Sequence, residues 1–475
     1  MLSFRCNQNS AYIGGGSILG PLKLRYNSYG LATLTQHDAH TSASREVSSQ
    51  HEQEPRSVVR MLGIAAAGGA LEFYDFVIFV FFADIISVLF FPPGLPRWLA
   101  TMQTFGIFAT GYVFRPLGGI VLAHFGDLFG RKRVFAFSIL LMAASTLGVG
   151  LLPTYKMIGP VAPVLLVVLR ITQGIAIGGE VPGAWIFVAE HVPHNRRAVA
   201  CALVCAGLSV GVFVGAGLSG LLSLVLSPAS MLDFGWRIPF LLGGVFGFVA
   251  VRLRRMLHET PIFVALRARR VLVPELPIGV VIRTHLRGVA ISAICTWILS
   301  GSVVILTLMV PTILQGAHHF ERSTAMISTT TSSIFLGVGV MVGGLVYDRV
   351  GAGWFFLLGG GLLAVGGCAF FSVAMVEPSY VYALSALIGF CGAIIAGVPV
   401  AMVSCFPPAV RFSGVSFSYN VTYAVAGGTT PLMIAMLLNL HPQSHVFYLL
   451  AISVLAVCLG IYFLAKPDVL RYGAD

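Results

Sequence analysis

Uninterrupted apolar runs recur along almost the whole chain, and each is long enough to cross a membrane. A helix needs about 20 apolar residues to span the hydrocarbon core of a bilayer, and such runs follow one another from residue 58 onward. Only 10% of the 475 residues are charged, against about 25% in soluble domains. The runs are continuous rather than alternating, which favours helices over a barrel. The sequence therefore predicts an all-α membrane protein.

The apolar runs divide into two sets of six predicted spans, numbered 1 to 12 throughout. Spans 1 to 6 cover residues 60–90, 98–123, 134–153, 160–189, 198–226 and 236–257, and spans 7 to 12 cover 288–314, 325–347, 354–376, 380–404, 412–438 and 445–465. The predicted domains are a disordered tail over 1–57, a six-helix bundle over 58–257, a linker loop over 258–287, a second six-helix bundle over 288–467 and a tail over 468–475.

Arginine and lysine are distributed unevenly across the predicted membrane. Of the 29 basic residues, 23 fall on the side of the chain termini, four fall on the opposite side and two lie inside spans. Basic residues accumulate on the cytoplasmic side of membrane proteins. We therefore expect a multi-pass protein of the cell inner (plasma) membrane with both termini in the cytoplasm. This distribution accounts for the net charge of +11 without a nucleic-acid partner.

The two halves of the chain repeat each other. The loop after span 2 reads GDLFGRKR, and Asp127 and Gly130 within it align with Asp348 and Gly351 after span 8, 221 residues further on. The loops after spans 4 and 10 align at an offset of 214 residues, through Pro and Arg. A duplicated six-helix unit is typical of secondary transporters, whose site lies between the halves near the bilayer midplane.

Several motifs in a fixed order resemble one known family. The motifs are LEFYDF with LFFP (71–76, 89–92), FRPLGG (114–119), GDLFGRKR (126–133), RITQGIAIGGE (170–180), AEHVP with RR (189–197), WRIPFLL (236–242), ETPIF (259–263) and FPPAVRFSGVSFSYNVTYAVAGGTTPL (406–432). Together they resemble the metabolite:proton symporters of the major facilitator superfamily, which include permeases for citrate, α-ketoglutarate, shikimate and proline/betaine. The resemblance implies the major facilitator fold, with twelve transmembrane helices in two six-helix bundles.

Three acids inside the spans are candidate proton-coupling residues. Glu72 and Asp75 lie three residues apart in span 1, which places both on one face of a helix. Glu180 lies in span 4. Burial disfavours the charged form of a carboxylate, so such a group can bind and release a proton near neutral pH. The alternative for Glu72 and Asp75 is a static charge pair that holds span 1 to its neighbours.

Five further residues are candidate substrate-binding groups. They are Arg115, Arg170, Gln173, Tyr419 and Asn420. An arginine offers a fork of donors that suits a carboxylate, and the two arginines lie in spans 2 and 4. Arg115 has the equal alternative of pairing with Glu72 or Asp75. In span 11, the alternative is helix packing through the small residues that follow Tyr419 and Asn420.

The loops after spans 2 and 8 are expected to act in gating. Their candidate residues are Asp127, Gly130, Arg131, Arg133 and Asp348. Glycine permits a tight turn, and the charges can bind a helix end of the opposite half when the inner side is closed. The glycine series Gly207, Gly211 and Gly215 in span 5 has the spacing of helix packing instead.

The predicted function is proton-coupled symport of a small organic metabolite by alternating access. Because two arginines lie inside spans, a carboxylate is expected, such as a di- or tricarboxylate or a zwitterion. The alternatives are a proton-driven exporter of a siderophore or drug, and a transporter-like ligand sensor. No metal spacing, cofactor motif or enzyme is predicted. The expected partners are the solute, protons and the lipid bilayer, and the protein is expected to be a monomer.

Overall fold

The computed structural model describes residues 5–7, 10–12, 25–26, 32–33, 55–119, 131–178, 180–255, 277–318, 320–376, 378–407, 410–438, 440–441 and 443–473. The chain divides into two units, Met1–Arg60 and Met61–Asp475. In the first unit, strands Arg5–Asn7 and Ser10–Tyr12 form one antiparallel pair, and strands Arg25–Tyr26 and Ala32–Thr33 form another. A disordered tail over residues 1–57 stays a prediction.

A helix lies at every one of the twelve predicted spans. In the first half the helices are Pro55–Phe81 and Ala83–Leu89 at span 1, Arg97–Val113 and then 115–119 at span 2, Arg131–Leu151 at span 3, Val161–Ile177 and Glu180–His191 at span 4, Arg197–Val225 at span 5 and Arg237–Arg255 at span 6. Shorter helices at Tyr155–Ile158, His194–Arg196, Pro228–Ser230 and Met231–Gly235 connect them.

In the second half, several spans depart from regular α-helix. The helices are Leu286–Val303, the π-helical Val304–Leu308 and Val310–His318 at span 7, Arg322–Val376 at spans 8 and 9, Val381–Cys391, the 3₁₀-helical Gly392–Ala396 and Gly397–Ser404 at span 10, Arg411–Leu437 at span 11 and Ser444–Ala465 at span 12. Shorter helices are Pro277–Thr284, Pro378–Tyr380 and Pro467–Gly473.

Spans 8 and 9 are separated at one glycine. The long segment Arg322–Val376 is interrupted at Gly351, whose φ of 78° and ψ of 167° are not helical. Glycine adopts a positive φ without the steric penalty of a side chain. The turn therefore falls within the loop that the sequence repeat predicts between these spans.

Hydropathy alone identifies fewer spans than the helix positions do. Within the described residues, six helices are long and apolar enough to cross a membrane, and a bent pair, Pro228–Gly235 with Arg237–Val249, adds a seventh. One of the six, Arg322–Ser372, contains both span 8 and most of span 9. The count of twelve therefore rests on where the helices lie, including shorter and broken ones.

Two sides of the helical unit are distinguished below by where the chain enters and leaves it. The proximal side is the one on which span 1 begins at Pro55 and span 12 ends at Ala465. The distal side is the opposite one, at which span 1 ends near Leu89 and span 12 begins at Ser444.

Glycines allow span 2 to pack closely against span 4. A methyl group placed on Gly174 would overlap the carbonyl oxygen of Gly111, and one placed on Gly118 would overlap that of Ile175. Gly178 approaches the carbonyl oxygen of Arg115 in the same way. Backbones can approach this closely only where small residues line both helices. This contact fixes the height at which Arg115 enters the bundle.

The same device recurs elsewhere in the bundle. Gly207 and Gly211 of span 5 leave no room for a side chain against the carbonyl oxygens of Ala66 and Ala70 in span 1. The packing that the glycine series in span 5 predicts is therefore present. In the second half, Gly389 of span 10 packs directly on the backbone of Ser332 in span 8. Spans 8 and 10 thus repeat the contact of spans 2 and 4.

Two of the helix pairs that join the halves pack through glycines. Gly220 of span 5 lies against Met326 of span 8, where a methyl group would be 3.3 Å from the methionine Cβ. Gly428 of span 11 lies against Tyr112 of span 2, at 3.1 Å from its Cβ by the same measure. Residues on spans 2 and 11 are therefore the ones that reach the centre from both halves.

We predict that Gly174→Val lowers the stability of the protein, whereas Gly106→Val does not. The valine at 174 would overlap Gly111, and overpacking of this kind costs about 1–3 kcal/mol. Gly106 lies on span 2 with no atom within 4 Å of an added Cβ. Thermal unfolding of the purified variants in detergent measures the effect, and equal melting temperatures for the two variants would contradict the close contact.

Candidate functional site

Arg115 lies at the centre of the bundle inside a ring of aromatic side chains. Only 2% of the residue is exposed. Its guanidinium carbon lies 5.0 Å from the ring centre of Tyr423, 5.4 Å from Tyr112, 5.6 Å from Phe76 and 5.9 Å from Tyr419. Phe76 and Tyr112 belong to the first half, and the two other tyrosines belong to the second. The cation is therefore shared by both halves.

The aromatic rings around Arg115 also contact one another. Tyr112 and Tyr423 stack with their centroids 5.2 Å apart, and Tyr419 lies 5.1 Å from Tyr423. Trp185 meets the edge of Tyr419 at 5.2 Å. We name Phe76, Tyr112, Tyr419, Tyr423 and Trp185 the aromatic cage. Its faces attract a cation through their quadrupoles, which explains how an arginine can be held there.

Two N–H groups of the Arg115 guanidinium are not used in hydrogen bonds with described residues. Its Nε and Nη1 atoms are buried and make no hydrogen bond within the described part of the chain. No described carboxylate lies within ion-pair distance of Arg115, because the ion pair found among the described residues joins Arg411 and Glu190. A buried cation without a partner is costly. The arrangement is therefore complementary to an anion.

Arg170 forms a second buried cation next to the first. It is 0% exposed, and its guanidinium carbon lies 4.6 Å from the ring centres of both Phe76 and Phe79 and 5.0 Å from that of Phe108. Phe76 thus contacts both arginines. Arg170 Nη1 donates to Gln173 Oε1 at 2.7 Å, while its Nε and Nη2 find no acceptor among the described residues. The sequence-predicted Arg115, Arg170 and Gln173 are therefore brought into one region.

Asp75 does not face Arg115, contrary to one of the two expectations for that arginine. Its side chain is buried, and a methyl group on Gly243 of span 6 would overlap its Oδ1 atom. The neighbouring Tyr74 donates to the carbonyl oxygen of Pro239, also in span 6, at 2.9 Å. Oδ1 of Asp75 has no hydrogen-bond partner in the described residues. The expected ion pair between Asp75 and Arg115 is thus not present, because Oδ1 of Asp75 lies against span 6.

The two other candidate acids lie outside the described side chains. Glu72 belongs to helix Pro55–Phe81, and Glu180 begins helix Glu180–His191. Only the backbone of each residue is described. Their roles in proton coupling therefore stay predictions.

Asn420 joins the two halves at a break in span 4. The first helix of that span ends at Ile177, so the carbonyl group of Gly178 lacks a regular helical partner. Asn420 Nδ2 donates to this carbonyl at 2.6 Å and to the carbonyl of Ser416 at 3.0 Å. Its Oδ1 atom is buried and accepts no hydrogen bond from a described residue. Asn420 therefore offers an acceptor, rather than a donor, beside the aromatic cage.

The proximal side is closed by contacts between the halves. Asp348 Oδ1 accepts from the backbone N–H of Ala198 and its Oδ2 accepts from that of Val199, both at 3.1 Å. These N–H groups begin span 5, where a negative charge is stabilised by the helix dipole. Arg411 Nη1 donates to Glu190 Oε1 at 2.9 Å. Asp348 thus binds the start of a helix of the other half, and its part in gating stays a prediction.

The matching loop of the first half is not described. Asp127 and Gly130 lie outside the described residues, and the side chains of Arg131 and Arg133 do as well. Their part in gating stays a prediction.

The distal side is closed by Arg322, at the start of span 8. Its Nη2 donates to the carbonyl oxygen of Phe81 at 2.7 Å and to Ser219 Oγ at 3.0 Å, and its Nε donates to Ser223 Oγ at 3.2 Å. All three acceptors belong to the first half, at the ends of spans 1 and 5. We name these contacts the distal latch. Hydrogen bonds between described residues of the two halves therefore lie on both the proximal and the distal side of Arg115.

Sequence reasoning missed Phe76, Tyr112 and Arg322. Tyr112 precedes Arg115 by three residues and lies on the same helix face, so this spacing was an available signal. Arg322 was counted only as a loop charge, and nothing in the local sequence names its partners. No group of three or more His, Cys, Asp or Glu residues that could hold a metal occurs among the described residues.

Comparison with known proteins agrees with these observations. The sequence profile of the Major Facilitator Superfamily matches residues 74–292 and 292–472. A putative proline/betaine transporter of Staphylococcus aureus (strain COL) is 32% identical over 396 residues, which cover 82% of this chain and 84% of that protein. The inner membrane metabolite transport protein YhjE of Escherichia coli (strain K12) is 32% identical over 403 residues, covering 82% and 90%.

A further relative and the solved structures extend the comparison. The glycine betaine/proline/ectoine/pipecolic acid transporter OusA of Dickeya dadantii (strain 3937) is 29% identical over 426 residues, covering 84% of this chain and 81% of that protein. The proton:xylose symporter XylE bound to a bromodeoxyglucose has a TM-score of 0.69 at 14% identity, covering 86% and 95% of the two chains. XylE of E. coli in a partially occluded inward open conformation has a TM-score of 0.64 at 18% identity, covering 86% and 97%.

These similarities settle the family and the fold class. The family profile covers most of the chain, and two relatives above 30% identity align over four fifths of it. The likeness to XylE shows the fold, which confirms the fold class that the motifs predict. Proteins of this family move solutes and are not enzymes. The chain is a membrane transport protein of the major facilitator superfamily.

Proposed function

We propose that the protein is a secondary active transporter that carries a small carboxylate-bearing metabolite together with a proton. It works by alternating access in the cell inner membrane, as a monomer, with both termini and the proximal side in the cytoplasm. The observation that carries this proposal is the Arg115 guanidinium, which is buried between the halves with unused donors and no described carboxylate partner. A substrate carboxylate supplies the missing acceptor.

The surroundings of Arg115 favour a substrate that is small and partly apolar. The guanidinium fork binds a carboxylate through two parallel hydrogen bonds, and the buried Tyr112 hydroxyl lies within the same cage. Aromatic faces suit hydrocarbon groups and cationic nitrogens alike. The names of two relatives refer to proline and betaine, which are carboxylates with a cationic nitrogen. A zwitterion of this kind satisfies both the arginine and the cage, and a di- or tricarboxylate uses Arg170 as well.

Asp75 is the proton carrier in this proposal, with Glu72 and Glu180 as further candidates. Its carboxyl group is buried in span 1 and lacks a described hydrogen-bond partner at Oδ1. An ionised carboxylate in that setting is unfavourable, so a proton is bound while the site is enclosed. The proton gradient and the membrane potential, about 2.3 kcal/mol per charge per 100 mV, then drive uptake.

The two closures give the transport cycle its alternation. The distal latch of Arg322 must break for the site to open outward, and the contacts of Asp348 and Arg411 must break for it to open inward. Each set joins one half to the other, so rocking of the halves can release one set while keeping the other. Export by antiport uses the same parts, and the direction of gradient-driven flux distinguishes it from symport.

We predict that Arg115→Lys weakens substrate binding by about tenfold to a hundredfold. Lysine keeps the charge but loses the two-pronged hydrogen bonding, and hydrogen bonds to charged groups are worth about 1.5–3 kcal/mol. A thermal-shift screen of organic acids, betaines and amino acids on the purified protein identifies the solute, and its titration gives the affinity. Arg97→Lys, an exposed arginine, is the matched control. Unchanged affinity in Arg115→Lys would remove Arg115 from the binding site.

We predict that Asp75→Asn abolishes solute uptake driven by a pH gradient in proteoliposomes. Asparagine has nearly the same shape but cannot bind and release a proton, so the gradient can no longer drive the cycle. Exchange of labelled for unlabelled solute at equal pH is expected to continue, which shows that the variant still binds and rocks. Undiminished gradient-driven uptake would exclude Asp75 as the proton carrier, and a protein that binds solute without any flux would be a sensor.

We predict that Arg322→Gln shifts the protein at least tenfold toward conformations open on the distal side. The substitution removes charge-assisted hydrogen bonds to Phe81, Ser219 and Ser223, each worth about 1.5–3 kcal/mol. Hydrogen–deuterium exchange in nanodiscs should rise at the distal ends of spans 1, 5 and 8. Lys156→Gln, an exposed cation on the same side, is the control. Equal exchange in the two variants would show that the latch does not hold that side closed.

A further inference from the structure

A chain of buried side chains runs from Arg170 toward span 3. Arg170 Nη1 donates to Gln173 Oε1 at 2.7 Å, and Gln173 Nε2 donates to Thr146 Oγ1 at 2.8 Å. The three residues are at most 1% exposed. The amide of Gln173 therefore connects a cation of the proposed substrate site to a hydroxyl group on another helix.

Thr146 has Asp75 on its other flank. The same methyl group on Gly243 that would overlap Asp75 Oδ1 would lie 2.8 Å from Thr146 Cγ2. The carboxylate of span 1 and the methyl group of span 3 thus border one point on the surface of span 6. Thr146 presents its hydroxyl to Gln173 and its methyl group toward the neighbourhood of Asp75.

Rotation about the Cα–Cβ bond of Thr146 would move its hydroxyl group to another position. In helices, threonine divides between two χ1 rotamers, because its hydroxyl can bond to a carbonyl of the preceding turn. The Thr146 hydroxyl does so here, donating to the carbonyl of Met142 at 3.1 Å. The two helical rotamers share one position, which the hydroxyl fills in one rotamer and the methyl group in the other, so a turn of this kind can bring the hydroxyl to the side of Asp75.

We propose that the Thr146 hydroxyl is the switch through which the ionisation of Asp75 reaches Arg170, an inference that rests on the proposed proton coupling. When Asp75 releases its proton to water, the carboxylate lacks a donor, and the Thr146 hydroxyl turns to donate to it. Gln173 then loses its acceptor, and its bond to Arg170 is free to reorient. Return of the proton to Asp75 restores the arrangement seen in the structure. Thr146 is a positioning residue, because it is buried and acts through Gln173.

Few charged or titratable groups compete for Asp75 in the described residues. On span 1 the neighbouring Tyr74 is committed to the carbonyl of Pro239, and the Glu72 side chain is not described. Spans 3 and 6 contribute Thr146 and Gly243 at this point, neither of which titrates. On span 4 the charged group is Arg170, at the far end of the chain through Gln173. Among the described residues, the hydroxyl of Thr146 is therefore the donor best placed to form a hydrogen bond with an ionised Asp75.

Infrared titration of the full-length protein in lipid tests this switch without a substrate. The absorption band of the protonated Asp75 carboxyl is identified by its loss in Asp75→Asn. In Thr146→Val, which keeps the shape and removes the hydroxyl, the band should persist to a proton concentration about tenfold lower than in the wild type, since a hydrogen bond to the ionised form is lost. Thr146→Ser should titrate as the wild type does.

Two further variants separate a switch from simple packing. Gln173→Met removes the partner that holds the hydroxyl away from Asp75, so its band should disappear at a higher proton concentration, opposite to Thr146→Val. Thr104→Val removes a buried hydroxyl that bonds only within its own helix and should change nothing. If Thr146→Val and Gln173→Met titrate like the wild type, or shift in the same direction, the switch is overturned. Failure of proton coupling itself would instead appear as absent gradient-driven uptake by the wild type.

Discussion

The contact of spans 2 and 4 through backbone atoms is the constraint on which the centre of this protein depends. Gly118, Gly174 and Gly178 leave no space for side chains between the two helices, so the helices cannot slide or rotate without separating. Arg115 and Arg170 are carried on these same helices, and the contact sets both cations on either side of Phe76. The positions of Arg115 and Arg170 thus follow from the glycines that let the two helices pack closely.

In a purely apolar core, two neighbouring cations would repel each other, and neither would have a group to stabilise its charge. Among the described residues, aromatic faces surround these cations where no carboxylate does, with rings from spans 1, 2 and 11 around Arg115 and rings from spans 1 and 2 around Arg170. Such faces stabilise a cation by a few kcal/mol at most, which is less than a buried carboxylate partner provides. An anion that binds at the centre therefore gains more interaction energy from the arginines than the aromatic rings provide. The proposed transport of a carboxylate requires this difference.

Much of this organisation could be predicted from the sequence, because apolar length and small-residue spacing act locally. The spans, the repeat, the packing glycines of span 5 and the buried arginines follow from such patterns. The direction of Asp75 could not be predicted, since spacing gives which residues share a helix face but not the rotation of that helix in the bundle. The partners of Arg322 were also beyond reach, because they lie on two helices and 99 to 241 residues before it in the chain.

The bonds of the distal latch depend to different degrees on the identity of the residues that make them. Its shortest bond ends on the backbone carbonyl of Phe81, an atom that every amino acid possesses, and the hydroxyls of Ser219 and Ser223 share the remaining bonds. Substitution at position 81 alters packing but leaves the main acceptor in place. Replacement of residue 322 removes all three bonds at once, whereas replacement of either serine removes one, so related chains can differ in how readily they open without any change in their central site.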